Sequence, residues 1–97
     1  MDYQLVLQFA CNSEADFESV IETEDQLISL LDGSAVVDGH DSGSGQANIF
    51  ILTSAPAITF SKIKGLLQGK FKAAYRSVTG NHYTVLWPEG LGEFSVL

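Results

Sequence analysis

The stretch Ala35-Val36-Val37-Asp38-Gly39-His40-Asp41-Ser42-Gly43-Ser44-Gly45-Gln46-Ala47-Asn48-Ile49-Phe50-Ile51-Leu52-Thr53 decides the architecture. Its two ends, 35–38 and 47–53, are rich in β-formers and read as strands. Between them three glycines punctuate a polar segment, Gly39 to Gln46, the pattern of a β-hairpin whose tip is flexible or bulged. The elements that flank this hairpin then set the fold class.

Upstream, Tyr3, Leu5, Leu7 and Phe9 alternate with Gln4, Val6 and Gln8, which predicts a strand with its odd-numbered side toward the core. Ser13 followed by Asp16 resembles a capping box with Asp in place of Glu, and Glu14, Asp16 and Glu18 suit the positive end of a helix dipole. Phe17, Val20, Ile21, Leu27, Ile28 and Leu31 recur at helical spacing up to the Asp32-Gly33 stop, so a helix is expected over 14–32. Downstream, Ser54 can cap a second helix with Pro56 in its first turn, an apolar face of Phe60, Ile63, Leu66 and Leu67, and an end at Gly69. Strands are expected over 71–78 and 82–87, with a turn at 79–81 and Pro88 closing the second; the segment 89–97 could add a short edge strand.

The order strand, helix, strand, strand, helix, strand predicts an α+β fold, the ferredoxin-like βαββαβ sandwich, with both helices on one face of an antiparallel sheet and an extra C-terminal strand. One domain, 1–97, accounts for the whole chain, since 97 residues with 45% hydrophobic content bury a single modest core. In such a sandwich the two helices are neighbours, and the acidic first helix is expected to lie beside the lysines of the second.

Charge is divided sharply along the chain. Residues 1–50 hold ten acids and no Lys or Arg, whereas 51–97 hold Lys62, Lys64, Lys70, Lys72 and Arg76 against Glu89 and Glu93. A net charge of −7 argues against nucleic acid or an anionic membrane surface as partner. No apolar run is long enough for a membrane helix, the N-terminus has no basic region of the secretory type, and the lone Cys11 fits a reducing compartment; a cytoplasmic location is expected.

Two features could carry chemistry. Glu24 falls in the centre of the first helix's apolar stripe, where a carboxylate has to be paired, protonated or placed at a break in the helix. Lys or Arg76 is a candidate partner; a pocket-facing carboxylate is the functional alternative. The second feature is the run Asp38, His40, Asp41 and Ser44, with Asn48 just beyond, which combines an imidazole with carboxylates and hydroxyls. The alternative is a hairpin tip whose side chains serve only local backbone groups. Neither a zinc spacing, nor a phosphate loop, nor a serine-hydrolase elbow is present, so no metal or cofactor is expected. Tyr75 and Arg76 alternate on one strand; if Tyr83 and Trp87 join the face opposite the helices, they form an apolar platform for self-association.

The string Asp38-Gly39-His40-Asp41, then Gly43-Ser44-Gly45, then Asn48-Ile49-Phe50-Ile51 is similar to a signature of small acidic bacterial proteins of uncharacterised function. That resemblance implies a defining hairpin and brings no activity with it. Together these features predict a small acidic protein-binding module, an immunity-type inhibitor or regulator of a basic partner protein, with a homodimeric module as a further form. The alternative is a small-molecule site or enzyme around the His40 hairpin, Glu24 and Arg76.

Overall fold

The computed structural model describes residues 1–96. In chain order the elements are β1 (Tyr3–Ala10), α1 (Glu14–Leu30), β2 (Val36–Gly43), β3 (Gln46–Thr53), α2 (Pro56–Ile63) continued by one 3₁₀ turn (Lys64–Leu66), β4 (Phe71–Ser77) and β5 (Thr84–Trp87). The strands form a five-stranded sheet in the order β2-β3-β1-β4-β5, antiparallel at every pairing. This α+β arrangement is compatible with a ferredoxin-like sandwich, with β5 added outside β4.

Alternation within the strands divides the sheet into two faces. Leu5 and Leu7 of β1, Ile49 and Ile51 of β3, and Ala73 of β4 all point to one side, where they meet Val20 and Leu27 of α1, Leu31 at its C-terminal cap, and Phe60 and Ile63 of α2. Both helices therefore share one face, α1 over β2 and β3 and α2 over β1. The opposite face carries Gln4, Gln8, Asn48, Lys72 and Arg76 around Val6 and Ala74. No helix is long and apolar enough to cross a membrane among the described residues.

Ser13 Oγ accepts the Asp16 N–H at 3.1 Å, and the Asp16 carboxylate accepts the Asn12 N–H at 3.0 Å, so the predicted cap starts α1. Its apolar stripe is narrower than the periodicity suggests: Val20, Leu27 and Leu31 are buried, Phe17 and Ile21 are half-buried, and Ile28 is 53% exposed. Ser54 does not cap α2. The residue before Pro56 is Ala55, and the Thr53 hydroxyl accepts the Ala55 N–H at 3.0 Å while bonding Thr59 Oγ1 at 2.7 Å. The second helix also ends at Ile63 and tightens into the 3₁₀ turn well before Gly69.

Two surface features depend on this packing. Among the described residues no ion pair joins α1 to the lysines. Most of the acids lie on or beside α1 and β2, and Lys62, Lys64, Lys70 and Lys72 on or beside α2 and β4. Both helices share one face, and α1 lines surface concavities with Leu66 and Gln68 beyond α2, but its acids are not tied up in ion pairs there. The apolar platform also does not form, because Trp87 packs on the helix side against the core cluster and stacks on Phe71 at 6.1 Å, while Tyr83 meets Phe94 at 5.0 Å. Residues 89–96 form no edge strand; they return to the polar face, where the Ser95 carbonyl accepts from Gln8 Nε2 at 2.9 Å.

Candidate functional site

The hairpin is ordered to its tip. Strand pairing continues from Gly39 to Gly43, and the chain reverses through Ser44 and Gly45 at φ +54° and +79°, the two positive values a tight two-residue turn needs. One irregularity governs everything the hairpin presents. The register shifts between Val37 and Gly39, so Asp38 is an extra residue, and Gly39 at φ +118° adopts a backbone conformation that side chains rarely tolerate.

Because strand side chains alternate, this one-residue bulge reverses the facing of everything beyond it. Without it His40 would pair opposite Asn48 on the polar face. With it His40 pairs opposite Ile49, on the side of α1, and Asp41 pairs opposite Asn48. His40 Nδ1 lies 3.0 Å from both carboxylate oxygens of Glu24, and its ring meets Phe17 edge-on at 5.8 Å. An ionised carboxylate only accepts, so Nδ1 carries the hydrogen. Glu24 sits in line with Val20, Leu27 and Leu31, and its side chain is 12% exposed. The helix runs through it unbroken, and its partner is His40, neither a lysine nor Arg76.

On the other face Asp41 and Asn48 anchor a polar network. Asn48 is 1% exposed; its Nδ2 donates to Asp41 Oδ1 at 2.9 Å, and its Oδ1 accepts from Gln8 Nε2 at 3.0 Å. Gln8 also donates to Gln46 Oε1 and to the Ser95 carbonyl. Gln8 and Gln46 went unrecognised in the sequence, where polar residues in an alternating strand read as solvated. The signal that could have found them is Asn48, a polar residue in an otherwise apolar run, which requires partners once buried.

The seven candidate residues therefore do not converge. Glu24 and His40 meet on the helix side and Asp41 and Asn48 on the polar side; Asp38 is exposed at the bulge, and Ser44 is exposed in the turn. Arg76 lies at the far end of β4, where it donates from Nε to Gln4 Oε1 at 3.1 Å and from Nη1 to the Ser77 and Gly80 carbonyls at 3.2 and 2.6 Å. It holds the loop after β4 and, opposite Gln4, lies at the other end of β1 from the hairpin tip.

What the helix side does assemble is a charged flank. Glu14, Glu18, Glu22 and Asp25 are all exposed and fall within an arc of about 80° on the outward face of α1. Beside them run the half-buried Ile21, the exposed Ile28 and the edge strand β2, with Asp38, His40 and a 49% exposed Val36. Among the described residues no Lys or Arg pairs with a carboxylate, and Glu24–His40 is the one acid–imidazole contact, so the outward acids form no ion pair. Four concavities of the surface are lined by neither Glu24 nor His40.

Two substitutions test this construction. Gly39→Ala is expected to cost about 1–3 kcal/mol in urea denaturation, because a Cβ strains the bulge, and to weaken the nuclear Overhauser contact between the His40 and Phe17 rings. Asn48→Ala is expected to cost about 1–3 kcal/mol, since it leaves Asp41 and part of Gln8 without a buried partner, while leaving the His40 contact intact.

No family model matches the chain, and neither a curated protein nor a solved structure matches it.

Proposed function

We propose that this chain is a ferredoxin-like, acidic protein-binding module of the cytoplasm that engages a basic partner protein through the outward face of α1 and the adjoining β2, in the manner of an immunity-type inhibitor or regulator. One observation carries the reading: Glu14, Glu18, Glu22 and Asp25 share a narrow exposed stripe, and none of them is ion-paired among the described residues. Like charges three and four residues apart destabilise a helix by about 0.2–0.5 kcal/mol per pair, so the stripe works against the stability of the element that bears it. A cationic partner removes that repulsion, and the field of the stripe accelerates encounter. Ile21, Ile28 and Val36 supply the apolar contact that charge alone does not.

Two routes to a homodimer find less support. The exposed edge of β2 carries a bulge and acidic side chains, devices that discourage strand addition, and the polar sheet face is crossed by the segment ending at Ser95. The alternative of an acid–base site draws on the 3.0 Å separation of His40 and Glu24, which is within hydrogen-bond reach, but neither residue lines any of four surface concavities. Capture from native lysate on the immobilised protein, eluted in steps of salt, tests the proposal. One stoichiometric basic protein released by salt is expected; recovery of acidic proteins only, or of none, overturns it.

A further inference from the structure

The molecule holds a second feature, built from residues other than the acids of α1. A cleft of about 540 Å³ opens where β1 ends and β4 begins, walled by Phe9, Phe71, Trp87 and Pro88 and rimmed by Lys70 and Lys72. Its aromatic rings form a connected cluster: Phe71 lies 6.4 Å from Phe9, 6.3 Å from Phe60 and 6.1 Å from Trp87, with the last pair nearly parallel. All three wall rings are half-buried, so each leaves apolar surface open to the cleft.

The charge around it is unlike that of the rest of the chain. No acid lines the cleft, and neither Lys70 nor Lys72 makes an ion pair among the described residues. Lys64 Nζ sits 3.8 Å from the centre of the Trp87 ring, which places a third cation near the wall of the cleft. A cation therefore meets the charge of these lysines, whereas an anion meets two ammonium groups that make no ion pair among the described residues, beside an apolar wall.

We infer that this cleft binds a small carboxylate with an aromatic body, the ring lying against Phe9, Phe71 and Trp87 and the carboxylate held between Lys70 and Lys72. Aromatic walls with a few charged groups at the rim are the usual construction of a small-ligand site. The ligand's charge sets its orientation and its ring supplies most of the contact.

Titration of the ¹⁵N-labelled protein with 3-phenylpropionate, its neutral amide and 3-phenylpropylamine, followed by amide and Trp87 indole shifts, tests this. The acid is expected to give saturable shifts at Phe9, Ala10 and residues 69–72, with an affinity about fivefold or more above that of the amide, and the amine none. The double variant Lys70→Gln, Lys72→Gln alters only exposed side chains and keeps the dispersed spectrum of a folded protein. It is expected to bring the acid down to the amide's affinity without changing the amide's. Equal binding of acid and amide, binding of the amine, saturable shifts centred elsewhere, or no saturation up to the solubility of the probes would each overturn the inference.

Discussion

Replacing Glu18 and Glu22 with Gln and Asp25 with Asn in one chain is expected to slow association with the basic partner by roughly tenfold or more at low salt, while leaving folding stability unchanged or raised by up to about 1 kcal/mol. The two halves of this expectation have one cause. All three side chains are exposed on the outward face of α1, none has an ion-pair partner among the described residues, and Glu18–Glu22 and Glu22–Asp25 are like-charge neighbours along the helix. Their removal costs no packing and relieves repulsion, so any loss of binding cannot be attributed to unfolding. Stopped-flow association at several ionic strengths reads the first half, and urea denaturation the second. Because the effect is electrostatic, the wild-type and variant rates are expected to converge as salt rises. Rates that stay equal at low salt would remove the steering role from this stripe.

The second large effect is on the core. Leu27→Ala is expected to cost about 2–5 kcal/mol, a large part of the roughly 5–15 kcal/mol that holds a domain of this size together. Leu27 is fully buried in the cluster that joins α1 to Leu5, Leu7, Ile49 and Ile51, and Ala leaves a void that both a helix and a sheet would have to collapse to fill. Its neighbour supplies the control: Ile28 is 53% exposed, and Ile28→Ala is expected to change stability by less than about 0.5 kcal/mol. The midpoint of urea denaturation should fall for Leu27→Ala with its slope unchanged. Similar losses for the two variants would mean that α1 is rotated from the orientation described.

That contrast also locates what was legible in the sequence. The alternation of β1, the Ser13 cap and the hairpin between two helices follow from local chemistry, and all three are present. The helical periodicity placed Glu24 among buried residues correctly but counted Ile28 with them, because a run of apolar residues defines a stripe wider than the strip that meets the sheet. The partner of Glu24 was out of reach for a different reason. His40 turns toward α1 only because Asp38 is bulged, and a bulge reverses the facing of a strand without altering its composition. Read as a polar tip between two strands, the hairpin offers His40, Asp41 and Ser44 as one cluster; as an ordered strand it sends His40 to one face and Asp41 to the other. The segregation of charge was visible in the chain, but its placement depends on the sheet order, which puts β2 and β4 on opposite sides of the β3–β1 pair.

The measurement closest to the central claim is a map of partner contact by backbone amide shifts, recorded on the ¹⁵N-labelled chain with the salt-released basic protein added to saturation. The account predicts that shifts and line broadening concentrate in residues 14–28 and 36–43 and fade as salt is raised. Shifts concentrated in residues 69–72 and 84–88, with the α1 face unperturbed, would contradict it.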